Sequence, residues 1–142
     1  MNIEIFYDGI SYRLRSKKKV IKIVEKVIRS EHKVPGDLNF IITNDSNLLE
    51  INKEFLNHNY FTDVIAFGNN VHNIVGGEVY ISLDTVRRNS ANYKVSLSEE
   101  LLRVIIHGTL HLCGYEDDDM RKKDIMHSLE DKWIGVYKRL KI

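Results

Sequence analysis

His107 and His111 stand four residues apart inside the apolar run Ile105-Ile106-His107-Gly108-Thr109-Leu110-His111-Leu112. Four residues is about one helical turn, so on a helix both imidazoles leave the same face. Such a pair can simply be packed or hydrogen-bonded. It becomes a metal site when a third donor converges with it, at about 2.0–2.2 Å from one point for zinc. That donor must come from chain that has turned back. Gly114 supplies the turn, because glycine takes the left-handed conformation that ends a helix with little strain. Beyond it runs Glu116-Asp117-Asp118-Asp119, and Asp117 falls six residues after His111. The expected site is one zinc ion held by His107, His111 and Asp117.

The same interval occurs in H-E-x-x-H-x-x-G-x-x-H metalloproteases, whose catalytic glutamate follows the first histidine. Here that position is Gly108, which has no side chain to act as a base. A peptidase of that mechanism is disfavoured, and a metal hydrolase is not. Asp118 and Asp119 compete with Asp117 as third ligand; otherwise they cap the helix that follows. Cys113 lies two residues past His111, about 200° around a helix, and should point away from the metal as a small buried hydrophobe. His127, His32 and His72 read as surface residues.

The elements that must position these groups follow from hydrophobic periodicity. Ile3–Tyr7 alternates as a strand, with Tyr12–Leu14 pairing briefly beside it. Lys17–His32 is an amphipathic helix, with Val20, Ile23, Val24, Val27 and Ile28 on one face. Val34-Pro35-Gly36-Asp37 ends it. A strand is expected at Leu38–Thr43 and a helix at about Asn47–Phe55, with Leu48, Leu49, Ile51 and Phe55 inward. Strands at Thr62–Phe67 and Ile74–Ser82 and a helix at Leu83–Tyr93 come next. Ser96-Leu97-Ser98-Glu99 has the capping-box pattern and opens the metal helix, Leu97–Cys113, which should be central and buried. A last helix covers about Met120–Leu140, with Ile125, Leu129, Trp133, Val136, Tyr137 and Leu140 as its core stripe. The whole predicts a single α+β domain over residues 1–142. It is a sandwich whose mixed, mostly four-stranded sheet is packed by helices, with a zincin-like central metal helix.

Composition bounds the classes. Of 142 residues, 43% are hydrophobic and 29% charged, which suits one soluble globular core. The single cysteine excludes an intrachain disulfide framework and fits a reducing compartment. No signal peptide or membrane-spanning run is visible, and a cytoplasmic location is expected. The net charge of +1 argues for no nucleic acid by itself. Between Arg13 and Lys33, however, nine basic residues face only Glu25 and Glu31, a local +7. Such a face suits either a phosphate backbone or plain solvent.

The motif His107-Gly108-Thr109-Leu110-His111-Leu112-Cys113-Gly114-Tyr115-Glu116-Asp117 resembles the H-G-x-L-H-L-x-G-Y-D-H signature of the YbeY family. These are bacterial single-strand-specific endoribonucleases of rRNA maturation. Leu49–Phe67 resembles the family's L-N-x-x-Y-R-x-x-x-x-P-T-D-V-L-S-F stretch, and Gly77–Ser82 its G-D-I-x-I-S strand. The resemblance covers nearly the whole chain. It implies a zinc-dependent endoribonuclease acting in small-subunit rRNA 3′-end processing and ribosome quality control. Its partners would be single-stranded RNA, rRNA above all, and the small subunit or its assembly factors. It also places the Ile74–Ser82 edge of the sheet near the metal cleft. Four positions depart from the pattern: Asp117 replaces the third histidine, Leu56 the arginine, Phe61 the proline before Thr62-Asp63, and Ala66 the serine. His58, two residues from Leu56, is the candidate catalytic donor or base. Asp63 is expected to make a structural hydrogen bond at the strand start. The rival readings are a non-catalytic ribosome-biogenesis factor stabilised by its metal, and a zincin-like peptidase.

Overall fold

The computed structural model describes residues 1–142. In chain order the elements are β1 (Asn2–Tyr7), α1 (Lys17–Ser30), β2 (Val34–Thr43), α2 (Asp45–Leu56), β3 (Val64–Gly68), β4 (Ile74–Ser82), α3 (Leu83–Tyr93), α4 (Leu97–Leu112) and α5 (Met120–Arg139). The four strands form one mixed sheet in the order β1-β2-β4-β3. The β1–β2 and β2–β4 pairs are parallel, and β3 runs antiparallel to β4. The expected α+β sandwich with a mixed four-stranded sheet is therefore the observed architecture. Strand β4 is interior, however, not an edge. The edge beside the histidines belongs to β3, because β4 carries Val75, Val79 and Ile81 into the core and is paired on both sides.

Helix α1 forms because Val20, Ile23, Val24, Val27 and Ile28 bury one stripe. It stops two residues earlier than its periodicity suggests. The Ile28 carbonyl takes the amides of Glu31 and Lys33, and His32 turns to φ +59°. The chain is then already extended: Val34 donates to the Asn73 carbonyl at 2.8 Å, so β2 begins at Val34 and not at Leu38. Pro35 and Gly36, expected in the turn, sit in this strand where its register with β4 slips between Pro35 and Leu38. A bulge is where a residue without an amide proton is tolerated in a ladder. Tyr12–Leu14 forms no strand; the Leu14 amide instead donates to the Tyr7 hydroxyl at 3.0 Å.

Helix α2 is capped by Asn44, whose side-chain oxygen accepts from the Asn47 amide at 2.9 Å. Phe55 is not core: it is 63% exposed, with its ring edge-on to Phe67. The buried turn position is Asn52, whose amide nitrogen donates to the Tyr60 carbonyl at 2.9 Å and ties the helix to the loop ahead of β3. Helix α4 is the central rod, packed against α1, α3, α5, β3 and β4. Ser96 caps it by accepting from the Glu99 amide at 3.1 Å, but Glu99 does not reach back; its carboxylate pairs with Lys138 at 2.7 Å. Leu101, Ile105, Ile106 and Leu110 are fully buried. Each contributes roughly 1.5–3 kcal/mol relative to exposure, which makes this helix a rigid mount. Gly108 faces the sheet: a Cβ there would meet Val79 Cγ1 at 2.7 Å, so the missing side chain lets helix and sheet close on each other. No helix is long and apolar enough to cross a membrane.

Candidate metal centre

The last turns of α4 carry His107 and His111, and the chain turns back at Gly114, whose φ is +108°. Asp117 returns to the two rings. Its Oδ2 lies 3.3 Å from His107 Nε2 and 3.6 Å from His111 Nε2, and the two Nε2 atoms are 3.0 Å apart. These three residues are one group whose donor atoms lie within 4.8 Å of one another. Zinc held tetrahedrally at about 2.0–2.1 Å sets its donors about 3.3 Å apart, so the spacing fits.

The other ring nitrogens fix the tautomers. His111 Nδ1 lies 2.9 Å from the Tyr115 carbonyl oxygen, which can only accept, so Nδ1 donates. His107 Nδ1 lies 2.7 Å from Glu130 Oε2 and donates to that carboxylate. Each Nε2 is thereby left with its lone pair aimed at the other and at Asp117. Facing acceptors at that distance repel unless a cation or a proton lies between them. The donor set fits a divalent metal on this ground. Burial pushes the His107 pKa down. The hydrogen bond and charge of Glu130, with the charges of Asp117 and Asp63, outweigh that and hold it above the ordinary imidazole value.

Glu130 is the residue that sequence reasoning missed. It sits on α5, 5% exposed, with Oε1 3.2 Å from Arg103 Nη1. Arg103 also pairs with Asp131 at 2.7 Å. The apolar stripe assigned to α5 is partly offset: Ile125 is 44% exposed, while Met126, Glu130, Trp133 and Ile134 make the buried face. An acid at helical spacing with Met126 and Trp133 was the available signal, since a buried carboxylate needs a partner.

The neighbouring acids are turned to other work. Asp119 caps α5 by accepting from the Lys122 amide at 2.8 Å, and Asp118 pairs with Lys122 Nζ at 2.9 Å. Cys113 stands outside the donor group, packed against the core, and burial pushes its thiol up to about 11. His127, His32 and His72 are exposed.

A cleft of about 770 Å³ runs from His111 along β3 to the α2–β3 loop. Leu56, His58, Tyr60, Ala66 and Tyr115 line it. His58 Nδ1 lies 2.9 Å from the Tyr60 hydroxyl, with the two rings stacked, so it shares the cleft with His111 but stands outside the donor group. No lysine or arginine lines this cleft; its one charged residue is Glu116. Asp63 makes the expected strand-start bond through its carbonyl, which accepts from the Ser82 amide at 2.9 Å. Its carboxyl is desolvated, and burial raises its pKa. Helix α1 packs its apolar face against α4, β1 and β2, towards the sheet edge remote from β3, and turns its basic face outward.

A family model described as Endoribonuclease YbeY matches residues 9–138. A Flavobacterium psychrophilum protein named endoribonuclease YbeY is similar, 41% identical over 128 residues, which span 90% of this chain and 91% of that protein. One of the same name from Christiangramia forsetii is 36% identical over 132 residues, 93% of this chain and 92% of that protein. A solution structure of a Thermotoga maritima protein is similar at a TM-score of 0.61, covering 95% of this chain and 88% of the other. At 24% identity it shows a shared fold alone.

Proposed function

Because the chain belongs to the YbeY endoribonuclease family, we propose that it is a zinc-dependent endoribonuclease acting on single-stranded RNA. Its place is small-subunit rRNA maturation in the cytoplasm, and its partners are rRNA and the small subunit or its assembly factors. The observation that carries the metal-dependent reading is the convergence of two Nε2 lone pairs and the Asp117 carboxylate at one end of a long cleft. His107, His111 and Asp117 hold the ion, while Glu130 and the Tyr115 carbonyl keep the proton on each Nδ1. When bound, the metal supplies Lewis acidity toward a phosphoryl oxygen and brings the pKa of water toward about 7. Asp117 carries a negative charge where an imidazole would be neutral, so it tempers that acidity. Leu56 and Ala66 give the cleft an apolar wall beside β3. The Tyr60 hydroxyl and His58 Nδ1, in hydrogen-bond contact, form a donor–acceptor pair within the cleft.

One observation favours a second reading, a non-catalytic biogenesis factor that uses its metal for stability: the cleft has no cation to meet a phosphate, and Leu56 stands where the family carries arginine. A zincin-like peptidase is disfavoured, since Gly108 packs against Val79 and has no side chain to serve as the catalytic base. The test is cleavage of a labelled unstructured RNA and its duplex by zinc-loaded protein beside His111→Ala. Cutting of the single strand only, lost in the variant, supports the nuclease. Intact RNA, with a large loss of thermal stability on chelation, supports the second reading.

A further inference from the structure

Behind His107, on the side away from the donor group, lies a chamber of about 400 Å³. Asp63 from the approach to β3, Glu100 and Arg103 from α4, and Glu130 from α5 line it. Glu130 is engaged by His107 and Arg103, and Arg103 is engaged in turn by Glu130 and Asp131. Glu100 is different. It is 4% exposed, yet its carboxylate has no hydrogen-bond or ion-pair partner within the protein, although it borders the chamber. No side-chain oxygen in the molecule is sealed off from solvent without a partner, so the Glu100 oxygens open into that space. Buried carboxylates are ordinarily paired or bound to a cation. The chamber holds Asp63, Glu100 and Glu130 against one guanidinium, already shared with Asp131, and the imidazoles of His107 and His127, both of which lie against Glu130 and neither against Glu100.

We propose that this chamber is a second cation site, for a hydrated divalent ion of the magnesium class held by Glu100 and Asp63. Bare chelation of a zinc-like ion does not suit it. The one cluster of three donors within 4.8 Å in the protein is His107, His111 and Asp117. Magnesium keeps several waters and reaches protein through one or two carboxylates. A six-water shell needs roughly 180 Å³ at about 30 Å³ per water, which the chamber accommodates. Occupancy ties the start of β3, one wall of the cleft, to the first turns of the helix that carries the histidines. This holds whether or not the protein cuts RNA.

The experiment is thermal unfolding of the zinc-loaded full chain in magnesium chloride, against sodium chloride of equal ionic strength. Mn²⁺ uptake counted by paramagnetic resonance accompanies it. The expected result is a saturable rise in Tm and one Mn²⁺ per chain beyond the zinc. The apparent affinity should fall about tenfold or more in Glu100→Gln and in Asp63→Asn. Glu99→Gln, a neighbouring charge removal outside the chamber, should leave it unchanged. A wild-type protein indifferent to magnesium overturns the proposal. So does a magnesium effect undiminished in both chamber variants, or a Tm rise with methylammonium but none with magnesium.

Discussion

Replacing Glu130 by glutamine tests the proposed metal centre through a residue outside its donor group. The carboxylate accepts from His107 Nδ1 at 2.7 Å with one oxygen and from Arg103 Nη1 at 3.2 Å with the other. An amide has one oxygen to offer. With that oxygen toward His107, its NH₂ faces the Arg103 donor; flipped, it forces the proton onto Nε2 and removes the lone pair the metal needs. Charge-assisted hydrogen bonds contribute about 1.5–3 kcal/mol, and Arg103 keeps Asp131, so metal-free Glu130→Gln should lose about that much stability. Loss of an outer partner of a metal-bound histidine typically weakens metal binding about 10–100-fold, or about 1.4–2.7 kcal/mol. The pH dependence adds a sign. Glu130 is the main group raising the His107 pKa against desolvation, so the variant suffers less competition from protons. The deficit in zinc affinity should be small near pH 6 and reach its full size near about pH 8.5, where protons no longer compete. Competition with a chromophoric chelator across that range measures it. An affinity within twofold of wild type at the alkaline end, or a deficit that shrinks as pH rises, would refute the reasoning.

Three other perturbations have outcomes set by the same geometry. In metal-free protein Asp63, Glu100 and His107 all have folded-state pKa values above their ordinary ones. Their stabilisation is present below the unfolded values and lost as pH climbs through the folded ones, so chelated protein should weaken from about pH 4 to somewhat above 6.5; urea midpoints across that window, flat or rising, would contradict it. Asp117→His exchanges a charged ligand for a neutral one and should lower the apparent pKa of the pH–rate profile for RNA cleavage; an unchanged or higher value counts against the assigned ligand. Gly108→Ala puts a methyl group 2.7 Å from Val79 Cγ1, an overpacking cost of about 1–3 kcal/mol against roughly 1 kcal/mol of helix propensity regained. Chemical denaturation should show net destabilisation, and zinc affinity should fall as α4 shifts off the sheet.

Local chemistry made much of this protein readable from its residues alone. Two histidines one turn apart, a glycine able to take φ +108° and an acid six residues on define a donor set, because helix pitch and the left-handed stop fix where each group leaves the chain. The stripe of α1 and the caps of α2, α4 and α5 are local in the same way. Tertiary structure decided what depends on contacts distant in sequence. Pro35 and Gly36 looked like a turn and became strand, because β4, 40 residues later, pairs with this stretch and β2 bulges between Pro35 and Leu38 to keep the ladder. Phe55 carried a core residue's chemistry and was left exposed, while Asn52 was buried, because the Tyr60 carbonyl is there to meet it. Glu130 lies 23 residues beyond His107, and neither spacing nor periodicity links them; only the packing of α5 against α4 puts a carboxylate behind the ring. A metal's ligands can be written into one short stretch of chain. The groups that orient those ligands, and the chamber behind them, exist only once separate helices are pressed together.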